Sequence, residues 1–429
     1  MRAVAIIPSG PLTGEVVAPA SKSVTNRLLL LAALAEGTSV LRTPLVSDDS
    51  AAMRDVIEGL GAVVEEVGEP GRPGHAWRIT GTAGHLTVPG SPLQCRLSGT
   101  TMRFAAAVAA LAGDRVTLTG DAPLLQRPIG ALTDALRALG ADASDHDGLP
   151  PVTVGGGLAG GDVTVDARAS SQFASAVLLA APYARSDVRL TAHGAHAAAY
   201  IDLTVQAMDA WGGRVVADGP STWVVTSGTG YRARELVVEY DASAAAHLFG
   251  LATATGGRVG VVNATDTIQP DAGILEVLAR FGAAVDRDGD GISVTGPERL
   301  HAPGTIDLSA MPDQVTTIAA LAALVDGVTT IVGTEVVRGH ETDRLAALAT
   351  ELSKLGTQVQ ERPDGLVIDG RTTTGGAALD THHDHRLAMS FAAIGARVPG
   401  VVVNDPGCVA KTYPDFWTVM AGLGAELDR

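Results

Sequence analysis

Six apolar segments, each opened by a short polar triplet, recur along the chain at nearly constant spacing. The triplets begin at Ser21, Ser98, Ser170, Asp241, Pro312 and Asp384, at intervals of 77, 72, 71, 71 and 72 residues. The segments that follow, such as 104–112 and 318–325, are apolar nearly all round, which is typical of buried helices. Ser, Thr and Asp are favourable N-cap residues, so the pattern predicts six buried helices with polar starts.

A second pattern alternates with the first. An amphipathic run ends in a large apolar residue and a glycine, and a short strand pattern follows. The glycines are Gly61, Gly140, Gly212, Gly282, Gly356 and Gly424. A glycine at this point is typical of a helix that ends in the left-handed conformation. Together the two patterns predict six copies of one unit of about 72 residues, each with two helices and intervening strands.

The length and composition agree with a large globular protein. The chain has 429 residues, of which 46% are hydrophobic and 18% charged. A length of this size favours two or three domains. We therefore expect the six units to form two domains of three units each, with the division near residues 239–240.

The charge and the cysteine content exclude several classes of function. Acidic residues outnumber basic ones by 47 to 31, which gives a net charge of −16. Such a charge argues against binding of nucleic acid or of an anionic membrane. Two cysteines form neither a disulfide framework nor a zinc site. The N-terminus lacks a signal-peptide pattern, and no run is long enough to span a bilayer, so we expect a cytoplasmic protein.

Basic residues are concentrated at the predicted helix starts, despite the acidic composition. Helix N-termini attract anions through their unpaired N–H groups and the helix dipole. The cations at or near these starts and the amphipathic helices are Lys22, Arg27, Arg103, Arg127, Arg344, Arg386 and Lys411. This arrangement predicts a pocket for a polyanionic ligand. A phosphate-binding glycine loop, a dinucleotide fingerprint and a nucleophile elbow are all missing from the sequence.

The residues 382–385, His-His-Asp-His, raise the question of a metal site. Metal ligands need a shared geometry, whereas consecutive side chains at a helix start point in different directions. We therefore expect no metal to be bound here.

Several of these segments resemble the motifs of the 5-enolpyruvylshikimate-3-phosphate (EPSP) synthase family. The segments with the resemblance are 21–27 (SKSVTNR), 98–103 (SGTTMR), 126–129 (QRPI), 170–173 (SSQF), 200–202 (YID), 312–313 (PD), 340–344 (HETDR), 384–386 (DHR) and 411–415 (KTYPD). Each motif alone is weak, but together they extend over nearly the whole chain and are very specific.

The resemblance implies a fold and a domain division. The family fold is a two-domain inside-out α/β barrel with six β-α-β-α-β-β repeats, three in each domain. We expect one domain to comprise residues 1–20 and 241–429, because the N-terminal strand of the family joins the C-terminal domain. Residues 21–240 form the other domain.

The resemblance also implies an activity. The family transfers the enolpyruvyl group of phosphoenolpyruvate to the 5-hydroxyl of 3-phosphoshikimate, releases phosphate, and serves chorismate and aromatic amino-acid biosynthesis. It passes through a tetrahedral ketal phosphate without a metal or organic cofactor. Its two substrates are small molecules, and we expect a monomer without nucleic-acid or membrane partners.

The family's functional positions transfer to this chain by motif. Asp313 matches the base, Glu341 the acid, and Lys22 a third catalytic position. The positions that bind phosphoenolpyruvate are Lys22, Gly99, Arg127, Gln172, Arg344, Arg386 and Lys411. The positions that bind the acceptor are Lys22, Ser23, Arg27, Ser170, Ser171, Gln172, Asp313 and His340.

Three departures from the family pattern concern the acceptor. Ala197 replaces a common Ser, Val336 a common Asn and His340 a common Lys. An alternative hypothesis is therefore a related enolpyruvyl transferase with another acceptor alcohol, for example a nucleotide. A UDP-N-acetylglucosamine enolpyruvyl transferase is disfavoured, because its reactive Cys loop is not matched around residues 120–128. An inactive, ligand-binding relative is disfavoured because both Asp313 and Glu341 are present.

Overall fold

The described part of the chain folds into six four-stranded sheets and two sets of buried helices. The computed structural model describes residues 2–70, 72, 74–194, 198–289 and 291–428. The chain divides into two compact units, one of Met1–Pro19 with Glu239–Arg429 and the other of Ala20–Val238. The chain therefore leaves and re-enters the first unit.

Helices occur in every repeat. The α-helices of the described residues are α1 (Lys22–Leu34), α2 (Asp48–Gly59), α3 (Gly99–Ala109), α4 (Gly130–Ala138), α5 (Gln172–Ala180), α6 (Ala199–Ala210), α7 (Ala242–Thr255), α8 (Ile274–Arg280), α9 (Val315–Ala322), α10 (Arg344–Lys354), α11 (His385–Gly395) and α12 (Phe416–Gly422). Short 3₁₀ helices span Leu124–Gln126, Ala181–Tyr183, Pro270–Gly273, Pro312–Gln314, Glu335–Gly339, Gly370–Thr372 and Pro406–Lys411.

The strands are short and fall between the helices. They are β1 (Ala3–Ile7), β2 (Gly14–Val16), β3 (Thr38–Arg42), β4 (Val63–Val67), β5 (Ala76–Thr80), β6 (Leu93–Gln94), β7 (Val116–Thr119), β8 (Asp142–His146), β9 (Leu149–Gly155), β10 (Gly161–Asp166), β11 (Val188–His193), β12 (Val215–Ala217), β13 (Thr222–Val225), β14 (Glu235–Val237), β15 (Arg258–Val261), β16 (Ala284–Asp288), β17 (Gly291–Thr295), β18 (Gly304–Asp307), β19 (Val328–Val332), β20 (Gln358–Arg362), β21 (Gly365–Asp369), β22 (Ala378–Leu379), β23 (Val401–Asn404) and β24 (Glu426–Asp428).

All six sheets have the same pairing scheme. In the unit Ala20–Val238 the strand orders are β14-β3-β5-β4, β6-β7-β9-β8 and β10-β11-β13-β12. In the other unit they are β16-β17-β15-β2, β18-β19-β21-β20 and β22-β23-β1-β24. Each sheet has one parallel pair at an edge and two antiparallel pairs. This repeated topology agrees with six copies of one structural unit.

The buried helices predicted from the polar triplets are present. Every residue of α3, α7, α9 and α11 is buried, and α5 and α1 are buried after their first turns. In the unit Ala20–Val238, α3 contacts both α1 and α5. In the other unit, α7, α9 and α11 each contact the other two. Because Ala and Gly are frequent on them, they pack closely and form the centre of two separate apolar cores.

The helix starts agree with the predicted caps at four of the six positions. Ser21, Ser98, Asp241 and Asp384 are N-caps whose side chains accept a backbone N–H of the first turn. Two starts differ. A 3₁₀ turn at Pro312–Gln314 precedes α9, and α5 begins only at Gln172. The six helix-ending glycines all have positive φ angles, between 82° and 104°, as predicted.

Candidate active site

The first cluster of predicted site residues lies at the starts of α1, α3 and α5, in the unit Ala20–Val238. Lys22 is the first residue of α1, and its Nζ lies 3.6 Å from a carboxylate oxygen of the buried Asp49. One turn later, Arg27 is buried within the same helix. Both cations therefore belong to the N-terminal part of one buried helix, where the helix dipole also favours anions.

Arg27 is a buried cation that is hydrogen-bonded only to neutral oxygen atoms of the described residues. Its Nε donates to Thr204 Oγ1 at 2.8 Å, and its Nη atoms donate to the backbone oxygens of Ser23 at 2.9 Å and Tyr200 at 3.0 Å. Its guanidinium also stacks on the Phe104 ring. Burial lowers the pKa of Arg27 to about 10, so it stays charged at neutral pH. A buried cation without a carboxylate partner is well suited to an anionic ligand.

Arg103 connects α3 to the start of α5. Its Nη1 donates to Gln172 Oε1 at 2.9 Å and to Ser170 Oγ at 3.3 Å, and its Nη2 donates to the backbone oxygen of Pro128 at 3.2 Å. The guanidinium also lies over the Phe173 ring. Arg103 was predicted as one of the cations of the anion pocket, but it was not assigned to either substrate. The structure shows that it orients Ser170 and Gln172, which were assigned.

Gly99 and Arg127 lie in direct proximity. A Cβ atom at Gly99 would lie 2.6 Å from Arg127 Nη1 and 2.8 Å from its Cζ. Glycine at the first position of α3 therefore leaves room for this guanidinium. Nearby, Gln172 Nε2 donates to Thr100 Oγ1 at 3.1 Å, so α3 and α5 are joined at their starts.

Two predicted acceptor residues are not connected to this network through their side chains. The hydroxyls of Ser23 and Ser171 are half-buried, and neither forms a hydrogen bond within the described residues. Ala197 lies outside the described residues.

The second cluster is built around Asp313 in the other unit. Asp313 lies in the 3₁₀ turn before α9, and its Oδ1 accepts from Arg344 Nη1 at 2.7 Å. His340 Nδ1 lies 3.1 Å from the same oxygen, and Arg386 Nη2 donates to Oδ2 at 3.1 Å. The structure thus brings together four predicted site residues that are far apart in sequence.

Glu341 completes the same cluster. Its Oε2 accepts from Arg344 Nη2 at 2.8 Å, and its Oε1 lies 3.0 Å from Lys411 Nζ. Asp384, the N-cap of α11, accepts from Arg344 Nε at 2.7 Å. The Arg344 side chain is only 1% exposed and contacts three carboxylates, so it organises the cluster.

Burial and charge–charge interactions act in opposite directions on the ionisable groups of the second cluster. Burial alone would raise the pKa of Asp313, but Arg386, Arg344 and His340 outweigh burial and hold it well below its ordinary value. Burial lowers the pKa of His340, although Asp313 partly opposes this effect. Burial would also lower the pKa of Arg344, yet the neighbouring carboxylates Asp384, Glu341 and Asp313 raise it. Asp313 is therefore an ionised carboxylate beside the permanent cation Arg344.

The described residues give no sign of a metal centre or of a membrane crossing. No three or more His, Cys, Asp or Glu side chains of this part of the chain are grouped so that they could hold a metal ion. None of its helices combines the length and the apolar character that a bilayer-spanning segment needs.

Comparison with known proteins identifies the family. The family model described as EPSP synthase (3-phosphoshikimate 1-carboxyvinyltransferase) matches residues 6–420. The chain belongs to this family. A protein of Rhizobium etli named 3-phosphoshikimate 1-carboxyvinyltransferase is 41% identical over 433 residues, which covers 98% of this chain and 96% of the relative. A protein of Methanosphaerula palustris with the same name is 39% identical over 422 residues, covering 97% and 98%.

A solved structure of the EPSP synthase family agrees in fold. The EPSP synthase of Acinetobacter baumannii matches with a TM-score of 0.82 and 27% identity, and the match covers 100% of both chains. The chain therefore has the two-domain inside-out α/β fold of the family, which confirms the predicted fold class. It is a carboxyvinyl transferase by family. The individual roles assigned to the site residues stay predictions.

Proposed function

We propose that this protein transfers the enolpyruvyl group of phosphoenolpyruvate to the 5-hydroxyl of 3-phosphoshikimate and releases phosphate. The observation that supports this reaction best is the cluster around Asp313. It combines two carboxyl groups suitable for proton transfer, Asp313 and Glu341, with the cations Arg344, Arg386 and Lys411. Enolpyruvyl transfer needs both, since it moves two protons and releases a polyanion.

The donor carries a phosphate and a carboxylate, so it needs concentrated positive charge. We assign its binding to Lys22, Gly99, Arg127, Gln172, Arg344, Arg386 and Lys411. Guanidinium groups suit both anions because they can donate two parallel hydrogen bonds. Gly99 contributes space, since any side chain there would displace the Arg127 guanidinium. Within the second cluster, Asp313, Glu341 and Asp384 pair with Arg344, Arg386 and Lys411.

The reaction proceeds in two steps. The acceptor oxygen bonds to C2 of the enolpyruvyl group while its proton leaves to a base and C3 gains a proton from an acid. This addition gives a tetrahedral ketal phosphate. In the second step C3 returns its proton to the acid that supplied it, the C2–C3 double bond returns and the phosphate leaves with the proton that the base had taken. We place Asp313 at the base end, Glu341 at the acid end, and Lys22 beside the leaving phosphate.

Donor binding prepares Glu341 for its role. Glu341 contacts Arg344 and Lys411. When the anionic donor binds these cations, it replaces the carboxylate as their partner. A carboxyl group beside an anion holds a proton more readily, and a protonated Glu341 is what C3 requires.

We assign binding of the acceptor to eight residues, which are Lys22, Ser23, Arg27, Ser170, Ser171, Gln172, Asp313 and His340. Arg27 offers a buried positive charge without a carboxylate partner in the described residues, and Arg103 orients Ser170 and Gln172. The alternative, a different acceptor alcohol, is not favoured, because the relatives reported above are named for 3-phosphoshikimate.

Three further features belong to the proposal. The domains are residues 1–20 with 241–429 and residues 21–240. The protein works in the cytoplasm as a monomer. It uses neither a metal nor an organic cofactor, since the protein groups named above account for every proton and charge in the reaction.

The decisive experiment measures phosphate release from phosphoenolpyruvate with a panel of acceptors. The panel contains 3-phosphoshikimate, shikimate without the phosphate, and a nucleotide sugar. Among these acceptors, we expect only 3-phosphoshikimate to give rapid phosphate release from phosphoenolpyruvate. Release only with the nucleotide sugar would replace the proposal by its alternative, and no release with any acceptor would reject both.

A further inference from the structure

A buried glutamine directly follows Asp313 in the same 3₁₀ turn. The turn spans only Pro312–Gln314. Gln314 is fully buried, whereas the Asp313 side chain is 21% exposed and contacts the cations of the second cluster. A turn this short has few hydrogen bonds of its own. Its position, and with it the position of Asp313, therefore depends on the groups that surround it.

The side-chain amide of Gln314 is hydrogen-bonded at both ends. Its Nε2 donates to Oδ1 of Asp271 at 2.5 Å, and its Oε1 accepts from Thr317 Oγ1 at 3.2 Å. Asp271 lies in the 3₁₀ helix Pro270–Gly273 and Thr317 in the first turn of α9, and both are buried. Buried hydrogen bonds of this kind favour one arrangement of the segments that they join.

The polar contacts continue from Thr317 to α7. Thr317 Oγ1 lies 3.2 Å from Nδ1 of the buried His247. The turn that carries Asp313 is thus connected through buried side chains to a second 3₁₀ helix on one side and to α7 on the other. All of these residues belong to the same compact unit. Gln314 is the member of this chain that lies in the turn itself.

The carboxylate of Asp313 has partners of a different kind. Its oxygens accept from Arg344 at 2.7 Å and from Arg386 at 3.1 Å. We assign both cations to the donor, so the anions of phosphoenolpyruvate compete with Asp313 for the same N–H groups. Because Gln314 is fully buried, no substrate competes for its hydrogen bonds. Gln314 can therefore hold the turn in place while the donor engages the two cations.

We propose that Gln314, held by Asp271 and Thr317, is a positioning residue that keeps Asp313 in place for proton transfer. This inference rests on the proposed function and adds a residue to it. Gln314 neither touches a substrate nor exchanges a proton. It acts through the backbone of the turn and keeps the Asp313 carboxylate at the acceptor hydroxyl after the donor has bound. A displacement of about 1 Å at a reacting group can lower the rate about 10²-fold.

The first test is Gln314→Met, which keeps a long buried side chain but removes both hydrogen bonds. We expect kcat to fall about 10- to 100-fold. The KM for phosphoenolpyruvate should stay within about threefold of the wild type, because Arg344 and Arg386 belong to α10 and α11 and not to the turn. Urea unfolding gives the stability of each variant, and kinetics are measured where every variant is folded.

Thr253→Val is the matched control for the loss of a buried hydrogen bond. Thr253 lies near the C-terminal end of α7, is fully buried, and donates to the backbone oxygen of Phe249 at 2.8 Å. Its loss should lower stability but leave kcat unchanged. If Gln314→Met does not fold, Thr317→Val takes its place. It removes one of the two hydrogen bonds of the amide, so kcat should fall about three- to tenfold.

An exchange of the two bonded groups separates positioning from a general loss of stability. The double variant Asp271→Asn with Gln314→Glu again places an amide against a carboxyl group, with the roles of the two positions exchanged. Its second carboxyl oxygen can still accept from Thr317. We expect its kcat to lie within about threefold of the wild type. A double variant as slow as Gln314→Met would show that this hydrogen bond does not position Asp313.

The outcomes separate this inference from the proposed function. A wild type that releases no phosphate with 3-phosphoshikimate rejects the function. An active wild type whose Gln314→Met variant keeps kcat within about threefold leaves the function intact and rejects Gln314 as a positioning residue. A Gln314→Met variant whose defect lies in the donor KM alone also rejects the inference, since its effect would then be on the cations.

Discussion

The Arg127 guanidinium occupies the space that a side chain at Gly99 would need, since a Cβ atom on the glycine would lie 2.6 Å from Nη1 of the arginine. The obstructed atoms belong to the end of a flexible side chain, not to the backbone. The fold can therefore accommodate an alanine by moving the guanidinium, at little cost in stability. What it cannot keep is the position of Arg127 beside the start of α3, which we assign to donor binding.

Gly99→Ala should therefore weaken donor binding without unfolding the protein. We expect the KM for phosphoenolpyruvate to rise about tenfold, which corresponds to about 1.4 kcal/mol. The free energy of unfolding should stay within about 0.5 kcal/mol, since alanine is also the better helix former. Steady-state kinetics and urea unfolding measure the two quantities.

Gly113→Ala is the matched control, because nothing lies within 4 Å of a Cβ atom at Gly113. It should leave the donor KM unchanged. A Gly99→Ala enzyme with the same donor KM as this control would remove Gly99 and Arg127 from the donor site.

The repeats and the helix caps could be predicted because their signals are local. A Ser or Asp that caps a helix bonds to a backbone N–H three residues later, as Ser21 does with Val24. A glycine with positive φ ends a helix wherever it stands, as Gly61 does. Such signals lie within a few residues, so a single sequence contains them. The late start of α5 has a local cause as well, since Ser170 Oγ accepts from the backbone N–H of Gln172.

The partners within the site could not be predicted, because they come from distant segments. Asp313 bonds to Arg344 and Arg386, which lie 31 and 73 residues further along the chain. The resemblance to a family was the only indication in the sequence that these residues belong to the same site. It did not indicate that Asp313 would be held ionised by them. The role of Arg103 was missed for the same reason, since its partner Gln172 is 69 residues away.

Glu341→Gln should lower kcat far more than it changes the donor KM. Glutamine keeps the shape of the side chain and one of the two oxygens that contact Arg344 and Lys411, but it has no acidic proton to give to C3. We expect kcat to fall about 10²- to 10⁴-fold, with the donor KM within about threefold of the wild type. Glu335→Gln, at an exposed position of the nearby 3₁₀ turn, is the control and should be fully active. Equal activity of the two variants would exclude Glu341 as the acid.

His247 should make the fold less stable at acid pH. This residue of α7 is buried, and its Nδ1 lies 3.2 Å from Thr317 Oγ1. Burial, followed by Arg386 and Arg344, holds the pKa of His247 well below 6.5. The unfolded chain therefore takes up a proton as the pH falls below 6.5, whereas the folded protein does not. Stability is full above 6.5 and decreases below it by about 1.4 kcal/mol per pH unit for this group.

The measurement is urea unfolding near pH 7.5 and near pH 5.5, for the wild type and for His247→Asn. Asparagine can still bond to Thr317 but does not titrate. The stability difference between the two pH values should therefore be smaller in the variant, by about 1.4 kcal/mol. An identical difference in both proteins would show that His247 does not contribute to the pH dependence.

Glu351 holds a turn that leads into the second cluster. Its side chain is only 1% exposed, and its carboxylate lies 2.9 Å from His382 Nε2 and 2.6 Å from Lys354 Nζ, and accepts from the backbone N–H of Asp380 at 2.8 Å. The turn is strained, because His382 has a φ angle of 49° and the next residue 59°. Arg344, two turns earlier on α10, donates to Asp384, which follows this turn in the sequence.

Glu351→Ala should therefore reduce stability and also loosen the site. Loss of a charged hydrogen-bond partner in a buried position costs about 1.5–3 kcal/mol. Without this anchor the left-handed turn can relax, and it carries Asp384 and Arg386 with it. We expect the donor KM to rise about tenfold, which corresponds to about 1.4 kcal/mol. Glu361→Ala, which removes an exposed carboxylate paired with Arg338, should change stability by less than about 1 kcal/mol and leave the KM unchanged.

The double variant Glu351→Ala with His382→Gly separates strain from simple loss of contacts. Glycine adopts a positive φ angle without steric cost, so the turn should keep its shape even without Glu351. The donor KM should then return toward the wild-type value, although the lost stability does not return in full. If the KM of the double variant is no better than that of Glu351→Ala, the strained turn does not position Arg386. In that case Glu351 acts on stability alone, through its contacts to Lys354 and to the Asp380 backbone.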